Sequence, residues 1–102
     1  MKTHVSVLTK DCPKTAQTMI EERLSRLSRF YERVVSVRAS LRRSHGEHRI
    51  EILANVGHGT VLVADARQEG LLPAMDQCMD RMVRQLKRHH GKQIERRRRA
   101  RA

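Results

Sequence analysis

Four basic residues near the carboxyl end of the sequence recur at the spacing that places them along one side of a helix. They are Arg81, Arg84, Arg88 and Lys92, at intervals of three, four and four positions. Guanidinium and ammonium groups arrayed in this way bind phosphate oxygens. Because successive residues are rotated by about 100°, the opposite side of this helix carries Met75, Met79, Met82 and Leu86. The pattern predicts one helix with a buried face and a phosphate-binding face.

Further basic residues extend this prediction to an earlier helix and to the end of the sequence. The earlier helix carries arginines along one flank, at Arg23, Arg26, Arg29 and Arg33. Lys87 adds a cation on the other flank of the last helix, beside Asp76 and Asp80. Residues 93–102 form an arginine-rich tail that contains Arg96, Arg97, Arg98 and Arg99. If the two helices pack side by side, we expect their basic flanks to form one groove for nucleic acid.

The charge balance of the chain favours a polyanionic partner. Its 102 residues include 22 Lys and Arg against 11 Asp and Glu, which gives a formal net charge of +11. Such an excess leaves RNA, DNA and anionic membrane as candidate partners. No apolar run in the sequence approaches the roughly 20 residues that span a bilayer, and the first residues lack the apolar stretch of a signal peptide. We therefore expect a cytoplasmic protein that does not reside in a membrane.

Residue types and spacing give no support for catalysis, a metal site or a cofactor. Cys12 and Cys78 are far apart, and together with the six histidines they provide no zinc-ligand spacing. Cys78 lies at the edge of the apolar side of the last helix, which predicts a buried structural thiol. Asp76 and Asp80 form an exposed pair on a helix flank, which needs no catalytic role. We expect a binding protein rather than an enzyme.

The periodicity of the apolar residues predicts six elements in the order β-α-β-β-β-α. Strands are predicted over residues 3–8, 34–42, 48–56 and 60–66, and helices begin near Pro13 and Pro73. Strands joined by short turns form an antiparallel meander, whereas a helical crossover makes the first two strands parallel. The predicted fold is an α+β two-layer sandwich over residues 1–92, a four-stranded mixed sheet with both helices on one face. We expect the tail, residues 93–102, to be disordered.

The low aromatic content limits the ways in which the protein could recognise RNA. Phe30 and Tyr31 are the only aromatic residues of the Phe, Tyr and Trp types. Both fall on the apolar stripe of the first helix, which also contains Ala16, Ile20, Leu24 and Leu27, so we assign them to the core. The strands offer no exposed rings for stacking bases. Recognition is therefore predicted to depend on phosphates and shape.

Two segments resemble the helices of the ribosome hibernation promoting factor and ribosome-associated inhibitor family, also known as the sigma-54 modulation protein family. Residues 22–30, ERLSRLSRF, resemble the basic-Leu-x-basic-Leu pattern of the family's first helix. Residues 74–76, AMD, and residues 81–88, RMVRQLKR, resemble its second helix, with Arg84-Gln85-Leu86 as the most distinctive step. The resemblance covers residues 5–92 in the same element order.

The resemblance implies a stationary-phase or stress protein that binds the small ribosomal subunit. It would occupy the channel of messenger RNA and the tRNA anticodon stems, and so block initiation without any chemical step. By position, ribosomal RNA phosphates would meet Arg23, Arg26 and Arg29 on the first helix and Arg81, Arg84, Arg88 and Lys92 on the second. The chain resembles the short members of the family, although it has Gly70-Leu71-Leu72-Pro73 where the family usually opens its second helix with an acidic-Met-Tyr step. We expect a monomer when free, with no small-molecule substrate.

Two other functions agree with these residues. A general double-stranded RNA-binding module has an α-β-β-β-α fold that shares the last three strands and the last helix. A regulatory protein-interaction domain that modulates transcription is the other alternative. Salt dependence separates the RNA binders from the protein binder, because each neutralised phosphate adds about 0.7–0.9 to the log–log slope of affinity against salt.

Overall fold

The computed structural model describes residues 2–8, 14–31 and 34–101, and for residues 14, 28–30 and 91–101 it describes the backbone alone. The elements are β1 Lys2–Val7, α1 Lys14–Phe30, β2 Ser36–Ser44, β3 Glu47–Asn55, β4 Val61–Gln68 and α2 Leu71–Arg101. The predicted order β-α-β-β-β-α is confirmed, and the strand boundaries differ from the predicted ones by one or two residues. The predicted helix start near Pro13 lies outside the described residues.

The four strands form one mixed sheet in the order β1-β2-β3-β4. β1 is parallel to β2, whereas β2 with β3 and β3 with β4 are antiparallel. α1 packs on β1, and α2 packs on β3 and β4. The predicted α+β two-layer sandwich is therefore confirmed, and the layout places α1 and α2 next to each other.

The core lies between the sheet and the two helices. One row of side chains crosses all four strands, since Val5 pairs with Ala39, Ala39 with Ile52 and Ile52 with Ala64, and all four are buried. From the helices, the core receives Ala16, Ile20, Leu24 and Leu27 of α1 and Ala74, Met75, Cys78, Met82 and Leu86 of α2. Small residues on β4, Ala64 and Ala66, let α2 approach this edge of the sheet closely.

The entry into β2 differs from the predicted alternation. The alternation over residues 34–42 predicts that Val35 faces the core with Val37, but Val35 is 55 % exposed, and Val34 is buried instead. The chain turns here from the helix layer into the sheet, with the Val34 amide donating to the Tyr31 carbonyl. The period of two begins only at Ser36, where β2 starts.

The backbone of α2 continues through Gly91 to Arg101. It thus includes residues 93–101, for which the sequence predicts a disordered tail. Most of these residues are Arg, Gln, Glu and Ala, which have high helix propensity. The division of the chain at residue 92, and the disorder of the tail in the free protein, stay predictions for measurement in solution.

Candidate nucleic-acid interface

An open groove lies between α1 and α2. This interhelical groove has a volume of about 450 Å³ and is lined by Arg26, Leu27, Tyr31, Met79, Val83 and Lys87. Arg26 and Lys87 are exposed, and each comes from a different helix. The structure therefore brings one predicted cation from each helix to a shared groove.

The basic residues of α2 cover about a third of the helix circumference, so only some of them face the groove. At about 100° per residue, Arg84, Arg88 and Arg81 are rotated from Lys87 by about 60°, 100° and 120° in one direction. Lys87 faces α1 across the groove, whereas Arg88 lies with Leu62, Gln85 and His89 on the side of β4. We call the set Arg81, Arg84, Lys87 and Arg88 the α2 basic surface. The expected single groove is thus one edge of a broader surface, because only one flank of α2 faces α1.

Arg23 has a partner that the sequence did not indicate. Its Nη1 lies 2.6 Å from Oδ1 of Asp76, and the two side chains are 32 % and 58 % exposed. This ion pair crosses from α1 to α2 and orients both side chains. Part of the Arg23 charge is neutralised, so we expect it to bind phosphate less strongly than the exposed Arg26 does.

Arg81 and Gln85 hold α2 against the outer edge of the sheet. The Arg81 guanidinium donates to the Asp65 carbonyl at 2.6 Å, and the Gln85 amide donates to the Val63 carbonyl. β4 is the last strand of the sheet, so its outward carbonyls have no neighbouring strand. The distinctive Gln85 of the family motif therefore has a structural role, which a helical projection alone could not reveal.

Arg84 and Arg88 are the α2 cations best placed to contact a polyanion. The Nη2 of Arg84 lies 3.0 Å from Oδ2 of Asp80, one turn earlier, but both side chains are mostly exposed, at 72 % and 60 %. Such a pair contributes little and exchanges readily with solvent. Arg88 is exposed near the carboxyl end of the described side chains. A phosphate can therefore approach both residues without breaking the fold.

The other predicted contacts lie where the structure gives no side chains. Arg29, Lys92, Arg96, Arg97, Arg98 and Arg99 belong to the helical backbone of α1 and α2, but their side chains are outside the described part. Arg33 lies outside the described residues altogether. Their contacts with RNA stay predictions.

The face of the sheet opposite the helices carries a second set of arginines. Arg42 pairs in register with Arg49, and Arg49 with Arg67. This row was not singled out from the sequence, although these positions have the opposite parity to the buried ones in β2 to β4. The next row contains the paired Glu51 and Asp65, and Arg49 lies 3.7 Å from the Asp65 carboxylate. This face therefore has mixed charge, whereas α2 has four basic and no acidic residues from position 81 to 90.

Cys78 is a buried structural thiol, as predicted. Its Sγ lies 3.4 Å from the Ala64 carbonyl and 3.6 Å from the Ile50 carbonyl. Burial, with a smaller effect of the Asp65 carboxylate, raises the pKa of the thiol from 9.0 to about 12. The thiol is therefore protonated at neutral pH, which makes it a poor nucleophile and metal ligand.

Neither a metal-binding cluster nor a membrane-spanning helix is found in the part of the chain that the structure covers. Its His, Cys, Asp and Glu side chains form no group of three that could hold a metal ion. None of its helices is long and apolar enough to cross a membrane.

This fold places the chain in a class of small α+β sandwiches with two helices on one face of a mixed sheet. A ribosomal subunit interface protein from Coxiella burnetii has the same fold, with a TM-score of 0.78 and 13% sequence identity over 89% of this chain and 99% of that one. The N-terminal domain of Protein Y from Thermus thermophilus matches with a TM-score of 0.74 and 21% identity, over 87% of this chain and 99% of that one.

The chain belongs to the Sigma 54 modulation protein / S30EA ribosomal protein family, whose model matches residues 10–94. A ribosome hibernation promoting factor from Azotobacter vinelandii is 33% identical over 96 residues, which are 94% of this chain and 89% of the relative. The family resemblance of the two helices is therefore confirmed.

Proposed function

We propose that this chain is a ribosome hibernation factor that binds the small ribosomal subunit in the channel of messenger RNA and tRNA. Two comparisons support this proposal: the chain belongs to the family, and a relative of 33% identity is named a ribosome hibernation promoting factor. The observation that carries it is the α2 basic surface, which has no acidic residue from position 81 to 90. On this reading the protein acts in the cytoplasm, on idle ribosomes.

The proposed mechanism is occlusion. Arg84, Arg88 and Lys87 contact ribosomal RNA phosphates, and Arg26 adds a contact from the other side of the interhelical groove. The affinity comes mainly from counterions released when phosphates are neutralised. No bond forms or breaks. Initiation is blocked because the body of the sandwich and the ligands of the channel cannot occupy the same space.

Co-sedimentation with purified small subunits at several salt concentrations tests the proposal. The informative variant is Arg84→Gln/Arg88→Gln, because Arg81 also holds β4 and its loss would confuse binding with stability. Arg42→Gln/Arg67→Gln is the matched control, since it makes the same substitution and removes the same two charges at exposed positions on the face of the sheet opposite the helices. We expect steeply salt-dependent binding by the wild type. For the Arg84/Arg88 variant, the slope of log affinity against log salt concentration should be smaller in magnitude than that of the wild type by about 1.4–1.8, twice the value per phosphate. The control should retain the wild-type slope.

Three other outcomes would count against the proposal. Equal loss of binding by the control would indicate a nonspecific effect of charge. Equally tight binding to a plain RNA duplex would favour a general double-stranded RNA-binding module. Salt-independent binding would favour a protein partner. The blocking step is checked separately by adding the protein to small subunits with messenger RNA and initiator tRNA, where the wild type should prevent their binding and the Arg84/Arg88 variant should not.

A further inference from the structure

The floor of the interhelical groove is apolar, although its rim is cationic. Tyr31, Met79 and Val83 pack against the core but are only half-buried, and they line the groove with the buried Leu27. Phosphate binding requires no apolar floor. The groove therefore has the character of a small-molecule site, a mostly apolar concavity with a few charged groups at its edge.

The Arg23–Asp76 ion pair bridges the two helices one turn before the residues that line the groove. The two helices advance in the same direction along it, since Arg23 meets Asp76 and the later residues Tyr31 and Lys87 line the groove together. The Arg23–Asp76 ion pair therefore lies at the end of the groove where both helices are earlier in sequence. A partner helix laid along α1 and α2 would meet this ion pair, whereas a single projecting group need not reach it. At the other end α2 continues into the arginine-rich segment 93–101.

We propose that the interhelical groove is a subsite for one unpaired RNA nucleotide. Its base lies on Tyr31, Met79 and Val83, and Arg26 and Lys87 hold the phosphates on its two sides. The inference rests on the proposed function in that RNA is the partner. Unpaired bases are the part of an RNA that proteins recognise by stacking and apolar contact, and a methionine sulfur adds favourable contact with a flat ring. The site would select a bulge or loop over a continuous duplex.

Tyr31 lies at the groove and not wholly inside the core. The sequence placed it in the core as the last residue of the α1 stripe, whereas the structure leaves it half-buried at the groove. It is the only tyrosine, and the chain has no tryptophan. The intrinsic fluorescence of the protein therefore reports on this one position.

The test compares two blunt-ended RNA duplexes with identical numbers of phosphates. One contains a single bulged adenosine, and the other has an abasic residue in its place. We expect the bulged base to quench Tyr31 fluorescence and to bind at least about fivefold more tightly than the abasic duplex. In anisotropy measurements on labelled RNA, Tyr31→Phe should keep this preference and Tyr31→Ala should lose it. The comparison of the two duplexes in the wild-type protein needs no variant, so it stands even if Tyr31→Ala fails to fold.

Equal affinity for the two duplexes, with unchanged Tyr31 fluorescence, would overturn the subsite. If both duplexes and the small subunit still bound in a salt-dependent manner, the proposed function would survive that result. Failure to bind either RNA or the small subunit would overturn the proposed function as well. Quenching by an acidic amphipathic peptide, but not by the bulged duplex, would assign the groove to a protein partner and overturn the inference.

Discussion

The guanidinium of Arg81 donates a hydrogen bond to the backbone carbonyl of Asp65, with an Nη1–O distance of 2.6 Å. One helical turn later, Gln85 donates to the carbonyl of Val63. Both carbonyls belong to β4, the last strand of the sheet, so the two side chains cover acceptors that would otherwise be open to another strand. The α2 basic surface is therefore divided between residues that hold the fold and residues that project from it.

Removal of the Arg81 side chain should destabilise the protein more than removal of its neighbour. We expect Arg81→Ala to lower the free energy of unfolding by about 1 kcal/mol, the usual contribution of one hydrogen bond. Arg84→Ala should change it by less than about 0.5 kcal/mol, because Arg84 is 72 % exposed and its ion pair is screened. Urea unfolding followed by circular dichroism measures both. Equal destabilisation by the two variants would show that the Arg81 contact is not maintained in solution.

The Arg23–Asp76 ion pair should give a small coupling energy between the two helices. A double-mutant cycle with Arg23→Gln and Asp76→Asn isolates it, and we expect about 0.2–1 kcal/mol, the range for partly exposed pairs. The coupling should decrease in high salt. A coupling indistinguishable from zero in low salt would mean that α1 and α2 are held together by the core alone.

Much of the fold could be predicted because burial follows simple periods along the chain. Val37, Ala39 and Leu41 alternate with outward residues in β2 and are buried, as the period of two requires. Val35 has the same parity but is exposed, and it lies one residue before β2 begins, although its backbone already bonds with Lys2 and Asn55. A period in the sequence cannot show where the element that carries it starts.

The candidate site was predictable only in part, because helical spacing fixes a side chain's direction but not its neighbour. The spacing placed Arg81 and Arg84 on the same side of α2, and both are exposed. It could not show that Arg23 meets Asp76, which is 53 positions away. The interhelical groove was unpredictable for the same reason. Tyr31 and Met79 have the spacing of ordinary core residues, and only the packing of α1 beside α2 leaves them at a groove.

The Cys78 thiol should be protected from modification in the folded protein. In a Cys12→Ser variant, where Cys78 is the only thiol, we expect a disulfide reagent at about pH 8 to react slowly with the native protein and quickly with the unfolded chain. Burial, which raises the pKa of this thiol to about 12, keeps it in the less reactive protonated form. Rapid reaction without unfolding would contradict the buried position.

The same pKa shift makes stability depend on pH above the neutral range. The thiol ionises at about 9.0 in the unfolded chain and at about 12 in the folded protein, so the folded state binds one more proton between these values. Its contribution to stability is therefore complete below pH 9 and is lost as the pH rises through this window. Relative to Cys78→Ala, we expect the free energy of unfolding to fall by about 1.4 kcal/mol per pH unit there. Parallel pH profiles of the two proteins would contradict this shift.

The segment after Gly91 should gain helix when RNA neutralises it. In the free protein the repulsion among Arg96, Arg97, Arg98 and Arg99 opposes the helical backbone that extends to Arg101, and Gly91 costs about 1 kcal/mol relative to alanine within a helix. Arginine-rich segments of this kind fold on binding. We expect the circular dichroism signal of helix to increase when an RNA duplex is added to the full chain, and to change little in a chain that ends at Lys92. Gly91→Ala should raise the helix content of the free protein and reduce the increase on binding. If the free protein already has its full helix content in low salt, and RNA adds none, then the expected disorder of residues 93–102 is wrong and the helix is stable on its own.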